Sequence, residues 1–259
     1  MEPHTWFRKC QVAPGTVISL TSPAPSTWRI ISKVNEKEHQ MDEEDIRSGS
    51  QPSFAAIKLL CHDESDPNPN QQALMRIYQQ IPWIGTEIEP ARIRAPQATS
   101  YTHIELEALR NMTEGGSDIT PKLLAWSEGK QDEDGVVPGG YLTHLVWEIV
   151  PGVCLGKEID PAPFWELPRE QRDAVRTAFE NGYNQMMSLG YYPIFAAPRN
   201  LVWNWERRNL YFVGFFDCKR GDIKYKWNIK FLPQYGLVKV PDRKWCSRDW
   251  NGDTSGWEF

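Results

Sequence analysis

Lys58 interrupts an apolar run, Phe54-Ala55-Ala56-Ile57-Lys58-Leu59-Leu60, that reads as a strand. An ammonium in such a strand needs a partner, because an unpaired charge in a low-dielectric interior is costly. A partner follows in Tyr101-Thr102-His103-Ile104-Glu105-Leu106-Glu107-Ala108-Leu109-Arg110, which reads as a helix with Ile104, Ala108 and Leu109 on its buried side. Glu105 is the carboxylate this helix offers, whereas the helical phase of Glu107 points it outward. One chemistry for such a pair is to polarise a ligand carbonyl or bind an anion, with Glu105 fixing the ammonium and its spare donors. The other reading is a structural ion pair that ties strand to helix.

These two elements need others to hold them. Residues 17–20 and 28–34 read as strands split by the turn Ser22-Pro23-Ala24-Pro25. Residues 35–52 are polar and read as an exposed loop, and 61–72 as a second polar insert after the lysine strand. Beyond the helix, 119–126 leads to a polar hairpin with Gly129, Asp132, Asp134 and Gly135. Residues 141–152 then read as a strand running into the linker Pro151-Gly152. Pro168 opens a long helix with apolar positions at Val175, Ala178, Phe179, Tyr183, Met186 and Met187, and Gly190 ends it. The tail, 219–259, shows no long helix.

Composition narrows the function classes. The chain has 259 residues, 40% hydrophobic and 24% charged, which predicts a soluble globular protein with a sizeable core. Its net charge is -5 and it carries no block of Lys or Arg, so neither nucleic acid nor an anionic membrane is an expected partner. The five cysteines show no C-x-x-C spacing and the five histidines are scattered, so no metal is expected. No leader pattern and no long apolar run is present, so a reducing, cytoplasmic location is expected. The 12 Trp residues are many for this length. They are either large core side chains or the walls of an aromatic pocket.

The ordered set of strand Lys58, helix Glu105, Glu148-Ile149-Val150-Pro151-Gly152, Pro198-Arg199-Asn200 and the apolar strand before Asp217 resembles the protein kinase-like superfamily, near its fungal aminoglycoside-phosphotransferase-like branch. The resemblance implies an α+β, bilobal fold with a small β-rich N-lobe over 1–150 and a shortened helical C-lobe over 151–259. It implies a strand lysine and helix glutamate that hold phosphates, and Glu148 at the hinge. It also places a catalytic loop at 193–201, where Asn200 matches the metal-holding asparagine, or else caps its own loop.

The departures fall on the chemistry. Pro193 stands at the loop's His position, Phe195 at its Asp position and Gly214 at the metal-binding Asp, while Asp217 comes three residues late. The turn at 22–25 offers prolines where the family has phosphate-cradling glycines. No base and no principal metal ligand remain, so no cofactor is expected. The resemblance then implies an interlobe cleft lined by Phe195, Phe215 and Phe216, with Glu148 and Tyr192 beside it, suited to a hydrophobic small molecule. The expected function is a fungal natural-product enzyme that catalyses cyclisation or isomerisation, for example a pericyclic step. The alternatives are a non-catalytic scaffold binding a protein partner, and a residual phosphotransferase using Asp217.

Overall fold

The computed structural model describes residues 5–67, 71–157, 160–221 and 227–259. The chain is a mixed α+β protein that divides into two compact units, residues 1–103 with 123–149, and residues 104–122 with 150–259.

The first unit is built on one sheet. Its elements are α1 (Lys9–Val12), β1 (Val17–Leu20), β2 (Ser26–His39), α2 (Glu43–Arg47), β3 (Phe54–Asp63), β4 (Gln72–Gln80), α3 (Ala91–Arg94), β5 (Leu123–Lys130) and β6 (Tyr141–Glu148). The strands lie in the order β1-β2-β3-β4-β6-β5, all antiparallel neighbours. Two expectations change here. The stretch 35–52 is not all loop, because β2 runs on to His39 and α2 is capped by Asp42, whose carboxylate accepts from the Asp45 amide. Of the polar insert 61–72, Cys61–Asp63 belong to β3, Gln72 opens β4, and residues 68–70 lie outside the described residues; β4 is buried along nearly its whole length.

Side-chain alternation gives the sheet two different faces. One carries Ile57, Leu59, Cys61, Met75, Ile77 and Val146, which form a core with Phe7, Leu20, Trp28 and Ile30. The other carries Phe54, Ala56 and Lys58 from β3 and Leu74, Arg76 and Tyr78 from β4. His103 is buried against this second face. Its ring stacks on Tyr78 with centroids 3.6 Å apart and meets Phe54 edge-on at 4.8 Å. Such aromatic pairs are each worth about 0.5–1.5 kcal/mol beyond area burial.

The second unit contains α4 (Ile104–Glu114), β7 (Val153–Cys154), α5 (Ala162–Trp165), α6 (Arg169–Ser188), β8 (Tyr191–Pro193), β9 (Leu201–Asn204), β10 (Asn209–Phe212), β11 (Cys218–Arg220) and α7 (Phe231–Gln234). The long helix read from the sequence is α6. It buries Val175, Phe179, Tyr183, Met186 and Met187, and Gly190 follows it with φ 84°. Phe179 packs on Phe212 at 5.6 Å and on Tyr235 at 4.9 Å, and Tyr183 stacks on Phe231 at 4.3 Å. Trp203 is buried in this unit and Trp227 meets Phe179 at 5.8 Å. Trp203 thus serves as core, and the half-buried Trp227 packs at its edge. Two short sheets, β10-β9-β7 and β11-β8, complete the unit. No helix among the described residues is long and apolar enough to cross a membrane.

Residues 104–122, with α4, cluster with the second unit. The cause is a set of hydrogen bonds and packing contacts from α4 to β8 and β11, described below.

Two histidines of the first unit set its acid limit. Burial, with Arg76 nearby, pushes the His103 pKa down to about 3, and burial pushes His144 down to about 4. Both lie below the ordinary value of 6.5, so the unfolded chain binds protons that the folded one refuses. Stability is therefore fully present above about pH 6.5 and is lost as pH falls toward about 4, by up to about 1.4 kcal/mol per pH unit for each histidine. Urea midpoints measured across this range should fall, and His103→Phe should flatten the slope. A flat profile for the wild type would contradict this account.

Candidate functional site

Lys58 and Arg76 are direct cross-strand partners on β3 and β4, so both point from the same face of the sheet. Arg76 is buried, and its partner on the other side is Leu145 of β6. The Trp147 ring lies under both cations, 5.9 Å from Lys58 Nζ and 5.3 Å from Arg76 Cζ, and Tyr78 lies 5.9 Å from Arg76 Cζ. Cation–π attraction of this kind is worth about 0.5–2 kcal/mol per pair and offsets part of the repulsion between the two. Both side chains therefore stand beside one aromatic ring on this face of the sheet. The sequence reading singled out Lys58 and passed over Arg76. The available signal was a lone Arg inside the apolar alternation Leu74-Met75-Arg76-Ile77-Tyr78, the same signal that marked Lys58.

In the second unit, the structure brings Phe195, Asn200 and Gly214 together. A short 3₁₀ turn over Pro198–Asn200 places the Asn200 side chain against Gly214. Its amide Nδ2 donates to the Phe195 carbonyl at 3.0 Å, and its backbone carbonyl accepts from Val213 N at 2.9 Å. A Cβ placed on Gly214 would lie 2.2 Å from Asn200 Cγ. Asn200 thus fills the space into which a side chain at position 214 would project, and no carboxylate can be added there while it stays. Phe195 itself is 61% exposed, whereas Phe215 is buried and Phe216 half-buried. Asp217 is half-buried, and its backbone carbonyl accepts from Ile194 N at 2.8 Å. Tyr192 is a half-buried residue of β8, cross-strand from Lys219.

Glu105 is buried in the first turn of α4, and its unit holds it near Cys218 and Asp217. Burial, then Glu105, Glu107 and Asp217, push the Cys218 thiol far up, so it stays protonated. Glu107 corrects the sequence reading. It is not an outward surface residue: it accepts two bonds from Arg220, at 2.8 and 2.7 Å, and another from the Tyr191 hydroxyl. Asn111 Nδ2 donates to the same hydroxyl at 2.6 Å. The Arg220 guanidinium, with Tyr191, holds the Glu107 carboxyl below its usual range. This clamp fixes α4 to β8 and β11. Partners more than eighty residues apart leave no local pattern, and for that reason the sequence did not disclose it.

Glu148 ends β6 and lines a pocket of about 560 Å³ in the first unit, with Pro25, Trp28, Asp63, Leu124 and Ile149. Asp66 joins Asp63 and Glu148 there, and among the described residues no Lys or Arg lines it. Among the described residues no group of three or more His, Cys, Asp or Glu is placed to hold a metal ion.

The Asn200–Gly214 contact makes a specific expectation. Gly214→Ala should destabilise the protein by about 1–3 kcal/mol, the usual range for forced overpacking. Asn200→Gly in the same chain should restore part of that loss by vacating the space, although it gives up the bond to Phe195. Urea melts of the two single variants and the double variant read the coupling. Strictly additive losses would show that the two positions do not compete for space.

No protein-family model matches this sequence. No curated protein matches it either. Among solved structures, the chain is similar to the Cydia pomonella granulovirus kinase PK-1, with 11% sequence identity and a TM-score of 0.43 over 74% of this chain and 52% of that one. The chain therefore spans about half the length of that kinase.

Proposed function

We propose that this chain is a kinase-like protein that does not transfer phosphate and instead holds a hydrophobic small molecule. The observation that carries this reading is the occupation of the space beside Gly214 by Asn200. Phosphoryl transfer works by positioned divalent ions and a base on the accepting hydroxyl. At the positions where the kinase-like pattern keeps those two carboxylates, this chain has Gly214, with no room for a side chain, and the exposed Phe195. Asn200, which the pattern would spend on a metal, is tied to the Phe195 carbonyl.

The sheet supports the kinase-like part of the reading in a revised form. In that pattern the strand bearing the cation precedes the helix bearing the glutamate. Here β4 is the last strand before α4, so Arg76 takes the place that the motif assigned to Lys58, and Lys58 flanks it. Lys58 and Arg76 beside Trp147 carry more N–H donors than one partner uses, which suits a carbonyl or anionic group on an otherwise apolar ligand. Reactions that depend on shape and a few hydrogen bonds, such as cyclisation or isomerisation, suit such a site. A role in fungal natural-product chemistry is an extension by analogy with the resembled branch. Five free thiols accord with a cytoplasmic place. A second reading, a scaffold for a protein partner, is favoured by Ile194 and Phe195, adjacent residues that are 42% and 61% exposed.

Calorimetry with ATP and magnesium tests the proposal. Binding should be no tighter than about millimolar, roughly -4 kcal/mol. Micromolar, magnesium-dependent binding would overturn it and restore a phosphotransferase. Anilinonaphthalene sulfonate, an apolar anion, should bind severalfold more weakly to Lys58→Ala and to Arg76→Ala, with thermal melts showing both folded. Unchanged dye binding in both folded variants would remove the cations from the site.

A further inference from the structure

The first unit has a second, smaller pocket on the face of its sheet opposite Lys58 and Arg76. His144 of β6 is the cross-strand partner of Ile77, so it lies on the core face, one residue out of phase with Leu145 and Arg76. The N-terminal segment passes over this part of the sheet. Phe7, Val12 and Ile18 come from that segment and from β1, and Ile77 and Leu142 from the strands beneath. Together with Gln11, Thr16 and Gln79 they line an open pocket of about 280 Å³ beside His144. Gln79 Nε2 donates to the Trp6 carbonyl at 3.1 Å and fastens the segment at one side.

We propose that this pocket binds a small neutral aromatic molecule, of one or two rings, whose single N–H or O–H group hydrogen-bonds to the His144 imidazole. Three features support it. The first is charge: among the described residues no Asp, Glu, Lys or Arg lines the pocket, so a charged ligand would lose hydration there without a counterion. The second is size: about 280 Å³ lies at the small end of ligand pockets, which run from roughly 300 to 1,000 Å³. The third is the polar anchor. Burial keeps the His144 imidazole neutral at physiological pH, so it has one ring nitrogen to accept and one to donate. The uncharged polar residues Gln11, Thr16 and Gln79 also line the pocket among its apolar walls, and such a mixture suits a neutral ligand with a polar group. The proposal does not rest on the kinase-like reading, because none of the pocket's residues belongs to the motifs behind that reading.

Indole is the probe. Saturation-transfer NMR on the full chain should show contact with indole, and calorimetry should give its affinity. His144→Phe keeps the apolar volume and removes the anchor, and should weaken binding by about five- to tenfold, the worth of one neutral hydrogen bond. Val17 is 43% exposed and lines the pocket, so Val17→Trp should block entry and abolish the signal without lowering the thermal midpoint. The Val17 variant decides the matter if the His144 variant fails to fold. Absence of saturation transfer to indole in the folded wild type would overturn the proposal. Binding to Val17→Trp as tight as to the wild type would do the same.

Discussion

The space beside Gly214 is already taken, and much of the second unit's chemistry follows from that fact. Asn200 enters it, and the side chain is held there by the Phe195 carbonyl and by packing. The backbone bond from Val213 to Asn200 and the bond from Ile194 to Asp217 close the same loop from both ends. A loop organised in this way supports its own backbone. It has spent the polar side chain that a metal-dependent loop would need, and it turns Phe195 out to solvent. The lack of room for a side chain at position 214 and the loop's own hydrogen bonding are thus one arrangement, since Asn200 both fills the gap and bonds to the Phe195 carbonyl.

The first unit depends on alternation. Successive residues of β3, β4 and β6 point to opposite faces, so a single sheet carries two chemistries. On one face, Lys58 and Arg76 sit side by side over Trp147. On the other, the neighbouring residues Ile57, Met75, Ile77 and Val146 belong to an uncharged core. His144 stands at the margin of that core, and His103 is stacked on the charged face against Tyr78. A one-residue slip of β4 would exchange Arg76 for a core residue, so the register of this strand is heavily constrained. The same burial that fixes the register keeps both imidazoles neutral.

Several features were legible in the sequence because they are local. Apolar periodicity disclosed α6, and Gly190 marked its end. The alternation around Lys58 disclosed β3, and the motif order placed Phe195 and Gly214 where carboxylates would be expected. The strand β4 was missed because the polar residues before it concealed a hairpin, and with it went Arg76. Glu107 was misjudged because helical phase reports only which side of a helix a residue is on. It does not report what lies opposite, and opposite Glu107 are Tyr191 and Arg220.

The sequence by itself determined the mixed α+β character, the long helix, and the residue types at positions 195 and 214, since each is a property of residue type or of spacing within one element. Only the tertiary structure decided that Asn200 fills the gap at Gly214, that Arg76 stands beside Lys58, and that α4 belongs with β8 and β11. Each of these depends on which distant segments pack together. Packing of that kind is set by the sum of many weak contacts across the chain, and no local pattern of residue types records it.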